Sequence, residues 1–307
     1  MVSAGSYIPM KFLKTKFKRA RPLLGTYAQI ELEGEWGANI LNKYITAGFE
    51  AIAKIDRLMS YHCEDSDLTR LNRAKEGAWI KISPLTLKVL KISNDLFQIS
   101  QGVFDIRCGK FLANWNILPG RVQNCVDQNR ISSKIVPLEI NQGRVRKTGP
   151  WILDLGGIAK GYAVDYAVKK IKRVSKRYKI SGIVNAGGDL YMWGKSGTPT
   201  AVKIYAKPFA WLRKFKLSDG ALATSSVRTR TNFSQNINVS DHVKMPLGEP
   251  YTGEKTVAVF AANCLFADAL TKIVLLGSED TARRCLSAYK AYALIFKSNG
   301  HLQKAMN

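Results

Sequence analysis

The stretch Leu153-Asp154-Leu155-Gly156-Gly157-Ile158-Ala159-Lys160-Gly161-Tyr162-Ala163-Val164-Asp165 decides how this chain is read. An apolar run over residues 151–155 predicts the end of a strand. Gly156-Gly157 predicts a turn with little side-chain obstruction, and an amphipathic helix is expected from Ile158. Such a turn sets backbone N–H groups and the positive end of a helix beside whatever binds there. Lys160 adds a full charge in the first helical turn, and Asp154 an acceptor just before it. The combination suits a phosphate-bearing ligand. It equally suits a turn whose glycines only let helix and strand pack closely.

Working outward, Ala28, Ile30 and Leu32 alternate with Gln29, Glu31 and Glu33, which predicts a half-buried strand over residues 27–33. Leu41, Ile45, Phe49, Ile52, Ile55 and Met59 recur at helical spacing over residues 38–59. Ser83-Pro84 reads as an N-cap followed by proline at the first helical position, with Gly102 closing that helix. Residues 110–148 lack period and predict short strands and turns. Past the Gly-Gly turn the pattern predicts a helix to about Lys176, then strands at 182–185, 202–206 and 256–261. Helices follow from about Leu265 and over 281–289, and a strand over 292–297. Residues 230–254, with Pro246, Gly248, Pro250 and Gly253, predict a long loop. Strands and helices mix without regular βαβ alternation, so the expected class is α+β.

With 307 residues, 46% of them hydrophobic, the chain can bury a substantial core, as one domain or two intimate lobes. No apolar run approaches the roughly 18 residues of a membrane span, so no transmembrane segment is expected. Residues 1–20 are basic, offer little to anchor a core and hold no apolar export segment. A disordered lead-in is expected there, followed by a single domain over residues 21–307. The expected location is cytoplasmic, or periplasmic if the N-terminus is a processed or tagged form. Cys63, Cys108, Cys125, Cys264 and Cys285 are odd in number and form no CxxC pair, which predicts reduced thiols rather than disulfides or a zinc site. The net charge of +24 implies attraction to polyanions. Its basic runs, at 11–21, 169–179 and 203–216, sit in no helix-turn-helix, zinc-finger or RNA-recognition signature, so no specific nucleic-acid partner is expected. The 169–179 run reads as the solvated face of a helix.

Four further segments carry chemistry-bearing residues. Residues 58–72 leave a helix through a polar turn presenting Tyr61 and Ser66, and Gly102-Val103-Phe104-Asp105 places an acid just beyond a helix end. Asn185-Ala186-Gly187-Gly188-Asp189 is a strand running into a second Gly-Gly turn followed by an acid. Asp268, Thr271 and Lys272 share one helix face by their i, i+3, i+4 spacing. Each has a plain structural reading: Tyr61 stacks on the core, Asp189 caps a turn, and Asp268–Lys272 is an ordinary ion pair. Asp268 and Thr271 also offer oxygens of the kind Mg²⁺ prefers.

Taken in order, Arg21-Pro-Leu-Leu-Gly-Thr26, Leu58-Met-Ser-Tyr61 with Asp65-Ser66 and Leu71-Asn72, Phe104-Asp105, the Leu153–Asp165 stretch, the Asn185–Asp189 turn, Ala223-Thr-Ser225 and Ala267-Asp-Ala-Leu-Thr271 resemble the ApbE family of FAD:protein FMN transferases. The resemblance runs from about residue 21 to 300. It implies an α+β fold related to the T-fold, with two interlocked lobes of mixed or antiparallel sheets, flanking helices, and FAD held between the lobes. It also implies Mg²⁺-dependent transfer of the FMN moiety of FAD to a Ser or Thr hydroxyl of an acceptor flavoprotein, releasing AMP. Some relatives hydrolyse FAD, as a pyrophosphatase, or only bind it, and that alternative stays open.

By motif position, the resemblance assigns Leu24, Tyr61, Val103, Phe104, Asp105, Asp154 and Lys160 to flavin contact. It assigns Gly157, through its carbonyl, with Asp268 and Thr271 to the metal, and Asp268, Lys160 and His242 to catalysis. Four departures stand out: Leu24 where many relatives have Met, Met245 where the late His-x-x-Asp-Pro segment has its acid, Ser226 in place of a Gly, and Lys272 where many relatives have Thr. An ammonium there either competes with Mg²⁺ or stands in for part of its charge.

Overall fold

A computed structural model describes residues 14–119, 131–177, 179–194, 199–206, 209–216, 219–227, 229–232, 237–298 and 301–307. Its frame is an eight-stranded sheet: β1 (Thr15–Leu23), β2 (Thr26–Gly34), β3 (Ser181–Ala186), β4 (Asp189–Trp193), β5 (Gly220–Ser226), β6 (Thr256–Ala261), β7 (Tyr292–Phe296) and β8 (Leu302–Met306). Spatial order follows chain order, and every neighbouring pair is antiparallel. Alternation explains β2, because Ala28, Ile30 and Leu32 are fully buried. Three helices, α1 (Ala38–Met59), α5 (Ala159–Val174) and α6 (Cys264–Leu276), pack over one face of the sheet. The other face carries a small cluster of Leu190, Leu222, Ala258, Leu294 and Phe296.

The smaller lobe comes mostly from the chain between β2 and β3. It holds α2 (Asp67–Arg73), α3 (Pro84–Ile99), α4 (Gly109–Asn114) and a three-stranded antiparallel sheet of Ile80–Lys81, Arg144–Lys147 and Leu138–Asn141. Ser83 caps α3 by accepting from the Leu85 N–H, and the Gly102 N–H bonds the Phe97 carbonyl past its end, as the sequence predicts. One continuous apolar core runs from α1 and the main sheet through α2, α3 and α6, so the lobes interlock. α7 (Glu279–Ala288) packs on α6. The class is α+β, with antiparallel strand pairing and no closed barrel among the described residues.

Several expectations change. Part of the supposed lead-in, from Thr15, is β1, held by ladder bonds to β2 rather than by apolar burial; residues 1–13 lie outside the described residues. Residues 151–155 form no ladder strand. Instead the Asn72 side chain takes the partner's place, donating to the Leu153 carbonyl (2.9 Å) and accepting from the Leu153 N–H (2.8 Å). The stretch at 110–148 opens on α4, and the loop at 230–254 contains two short ribbons, Arg230–Asn232 with Ile237–Val239 and Val243–Lys244 with Glu249–Pro250. Cys63, Cys108, Cys264 and Cys285 are free thiols, while Cys125 lies outside the described residues. The basic residues over 169–177 are exposed as expected, and the side chains of the 203–216 run lie outside the described part of the molecule. No helix among the described residues is long and apolar enough to cross a membrane.

Candidate active site

A cleft of about 1270 Å³ opens between the lobes, above the range usual for drug-sized ligands and so roomy enough for a dinucleotide. Leu24, Tyr61, Val103, Phe104, Asp105, Asp154, Gly157, Lys160, His242 and Lys272 all line it. Asp268 and Thr271 lie directly behind that wall, each with no exposed surface. Sequence reasoning thus collected residues separated by more than 200 positions into one place.

The floor is the Leu153–Asp165 stretch. Gly161 explains how α5 comes so close to α6: a Cβ there would stand 2.3 Å from the Cys264 carbonyl oxygen and 2.8 Å from the Asp268 Cβ. The Gly161 N–H donates to Asp268 Oδ2 at 3.0 Å, so the N-terminal turn of α5 points at the acid of α6. Asp165 fixes the same contact from the other side, accepting from the Cys264 and Leu265 N–H groups at 2.8 and 2.9 Å. Gly156 and Gly157 line the cleft, and the close packing falls at Gly161, inside the helix. Lys160 Nζ donates to the Gly156 carbonyl at 2.9 Å. Burial alone would lower its pKa, but Asp268, Asp189, Asp154 and Asp241 reverse the direction and keep the ammonium charged. Asp154 accepts from the Gly156 N–H, and burial pushes its pKa up.

The opposite wall is more closely bonded than the resemblance implies. Asp268 Oδ1 pairs with Lys272 Nζ, its Oδ2 is used by Gly161, and its main-chain carbonyl accepts from Thr271 Oγ1 (2.7 Å) and Lys272 Nζ (3.1 Å). Thr271 Oγ1 also shares a 2.6 Å hydrogen bond with Ser225 Oγ of β5. Burial would raise the Asp268 pKa; Lys272 and Lys160 outweigh it and hold the carboxyl ionised. The Asp268 and Thr271 oxygens expected to take Mg²⁺ are thus already engaged, with an ammonium on the carboxylate. Among the described residues no group of three or more His, Cys, Asp or Glu side chains is placed to hold a metal. The residues present do not fit a divalent ion.

His242 stands at the rim. Val239 and Val243 pack on Phe111, Leu112 and Trp115 of the α4 region, and Ser240 ties the turn by donating to the Tyr251 carbonyl at 2.6 Å. This holds His242 with Nδ1 3.0 Å from Asp241 Oδ1. Its Nε2 is buried with no hydrogen-bond partner among the described residues. Despite burial, the contact with His242 depresses the Asp241 pKa, so the carboxylate is the natural acceptor for an Nδ1–H.

Two wall positions have their local geometry fixed by neighbouring residues. The Asp105 carboxylate is taken by Arg107, whose Nε and Nη2 donate to it at 2.9 and 2.6 Å with the guanidinium wholly buried between Phe97 and Trp151. Asp105 therefore shapes the wall, with no carboxylate oxygen free of Arg107 to offer a ligand. Leu24 adopts a left-handed φ of 57° in the β1–β2 turn, its N–H pinned by Asp56 Oδ2 at 2.9 Å. Sequence reasoning left Asp241 and Asp189 out of the site. Asp189 is 2% exposed, and burial together with Asp268 raises its pKa. An acid beside a retained His was the available signal for Asp241; for Asp189 it was the acid that ends the second Gly-Gly motif.

With the geometry in place, comparison with known proteins is direct. Residues 24–296 match the ApbE family. The chain belongs to the ApbE family. It is 29% identical over 231 residues to the FAD:protein FMN transferase of Rhodobacter capsulatus, covering 71% of this chain and 43% of that protein. Against the FAD:protein FMN transferase of Vibrio cholerae it is 26% identical over 275 residues, covering 84% and 80%. The chain thus spans less than half of the Rhodobacter relative and most of the Vibrio one. Among solved structures, the ApbE protein of Thermotoga maritima superposes with a TM-score of 0.80 at 21% identity, covering 94% of this chain and 97% of that one. The flavin transferase ApbE of Vibrio cholerae gives 0.77 at 20%, covering 96% and 98%. The ApbE fold is therefore shared across nearly the whole chain.

Proposed function

We propose that this ApbE-family chain transfers the FMN moiety of FAD to a Ser or Thr hydroxyl of an acceptor flavoprotein, releasing AMP. The observation that carries this reading is the buried, unpartnered Nε2 of His242, a residue that lines the same cleft as Lys160 and Lys272. With Asp241 accepting from Nδ1–H, Nε2 keeps its lone pair and can take the proton of an incoming hydroxyl. The hydroxyl oxygen then bonds the FMN-side phosphorus. The bond from that phosphorus to the bridging oxygen breaks, and the bridging oxygen leaves with AMP. Such a transfer needs positioning and neutralisation of phosphate charge more than covalent help from the protein. Lys160, kept cationic by four surrounding carboxylates, can supply that charge. The Mg²⁺ that the family resemblance implies finds its carboxylate already paired, so no part of this reading passes through it.

Incubating the protein with FAD and a flavoprotein bearing an acceptor threonine should give a fluorescent acceptor band and one AMP per label. FMN and AMP without acceptor would indicate an FAD pyrophosphatase. Intact FAD retained by folded protein would indicate a binder, and either result overturns the transferase reading.

A further inference from the structure

The wall behind the cleft holds a buried ion pair, Asp268–Lys272. An i, i+4 Asp–Lys pair on a solvated helix steadies it only slightly. Here the Asp268 side chain has no exposure and that of Lys272 has 17%, so the carboxylate depends on the ammonium for its charge. The Lys272 stem follows a defined path. A Cβ added at Gly157 would lie 3.7 Å from Lys272 Cε and 3.9 Å from its Cγ. The side chain thus runs past the Gly156–Gly157 turn of the floor and ends on Asp268, in the space between the two elements where the family resemblance implies a metal. Nζ donates to both the carboxylate and the main-chain carbonyl of Asp268, which are oxygens a hard cation would use. Of the other expected ligands, Thr271 spends its hydroxyl on Ser225 and the Asp268 carbonyl.

We propose that the Lys272 ammonium is the resident cation of this site, taking the place of a divalent metal and presenting positive charge to the ligand diphosphate. A divalent ion on Asp268 would have to expel Lys272 or sit against it, charge to charge. The fixed ammonium needs no metal supply, and its single charge is supplemented by Lys160 from the other wall of the cleft. The inference rests on the transferase reading only for the identity of the diphosphate.

Mn²⁺ serves as the metal probe, its free signal followed by electron paramagnetic resonance with and without FAD, and FAD affinity is read from flavin fluorescence in EDTA and in Mg²⁺. The wild-type chain is expected to take up no stoichiometric Mn²⁺ and to bind FAD within about twofold equally in the two buffers. Lys272→Thr is expected to bind FAD at least about tenfold more weakly in EDTA and to regain affinity in Mg²⁺, and Lys272→Arg to keep metal-free binding. One Mn²⁺ per wild-type chain that is lost in Asp268→Asn overturns the proposal. So does a tenfold gain in wild-type FAD affinity on adding Mg²⁺, or unchanged metal-free binding in Lys272→Thr. Should that variant fail to fold, the wild-type measurements decide alone. FAD binding without acceptor labelling would sink the transferase reading and leave the answer on the metal unchanged. If FAD does not bind in either buffer, Mn²⁺ uptake by the wild-type chain still decides.

Discussion

His242 Nε2 is a buried nitrogen with no hydrogen-bond partner among the described residues, and the proposed function gives it an incoming hydroxyl to meet. Replacing it by Ala should lower transfer by roughly 10²- to 10⁴-fold, the usual worth of a positioned base. FAD affinity, measured by flavin fluorescence, should change little; an equal loss of binding would make His242 a binding residue instead. Asn72 carries a different load, since its amide replaces a whole strand for Leu153. Asn72→Leu leaves a buried N–H and a carbonyl unpaired and should cost about 1–3 kcal/mol, read by urea unfolding. The sequence showed Asn72 as a motif letter without a purpose, because a side chain acting as a ladder partner 81 residues away leaves no periodicity. The engagement of the Asp105 carboxylate was not legible for a related reason. Its partner Arg107 sits two residues on, yet nothing in composition says that an arginine will be fully buried there.

Among elements, the α5–α6 contact is what brings Lys160 and Asp268 together. Gly161→Ala would force a methyl into the Cys264 carbonyl and should destabilise the fold by about 1–3 kcal/mol or more, with activity lost in step with the contact. Asp165 closes the start of α6, and Asp165→Ala should cost about 1–2 kcal/mol in thermal or urea unfolding. Its acid also gives the fold a pH dependence. Burial pushes the Asp165 pKa up to about 6, above its unfolded value, so the folded state holds the proton more tightly. That contribution is complete at low pH and is lost as pH rises from about 4 through 6. The Asp165→Asn chain should therefore show a flatter fall in Tm over that window than the parent; an unchanged slope would rule the assignment out. Helices were the most legible elements, α1 with its bounds, because its apolar stripe is long and its register strict. Strands β4 and β5 escaped notice, for a strand of five to seven residues buried on both faces has no alternation to read. β8 escaped for the opposite reason, since only Met306 in it is buried.

At the scale of the whole molecule, a net charge of +24 favours association with anionic ligands and partners. A dianionic ligand and an acidic acceptor would both be drawn in, and labelling of an acidic acceptor should slow steeply as salt rises from about 20 to 500 mM, through the rate of encounter. An acceptor reaction indifferent to salt would place the basic surface outside function. The α+β class was visible in the mixed order of elements and the two lobes were implied by the family resemblance, but the route by which the lobes join was not visible. That route is set by one pairing: β2 and β3 lie side by side although Glu33 and Ser181 are 148 positions apart. Every other neighbouring pair in the main sheet is closer in sequence. Such a closure carries a chain-entropy cost that the hairpins β1–β2 and β3–β4 escape. The hairpins can therefore zip early, while the strand pairing that completes the cleft waits for the intervening chain to collapse. A ligand bound across that seam would act late, as a clasp that slows the molecule's opening rather than as a template for its folding.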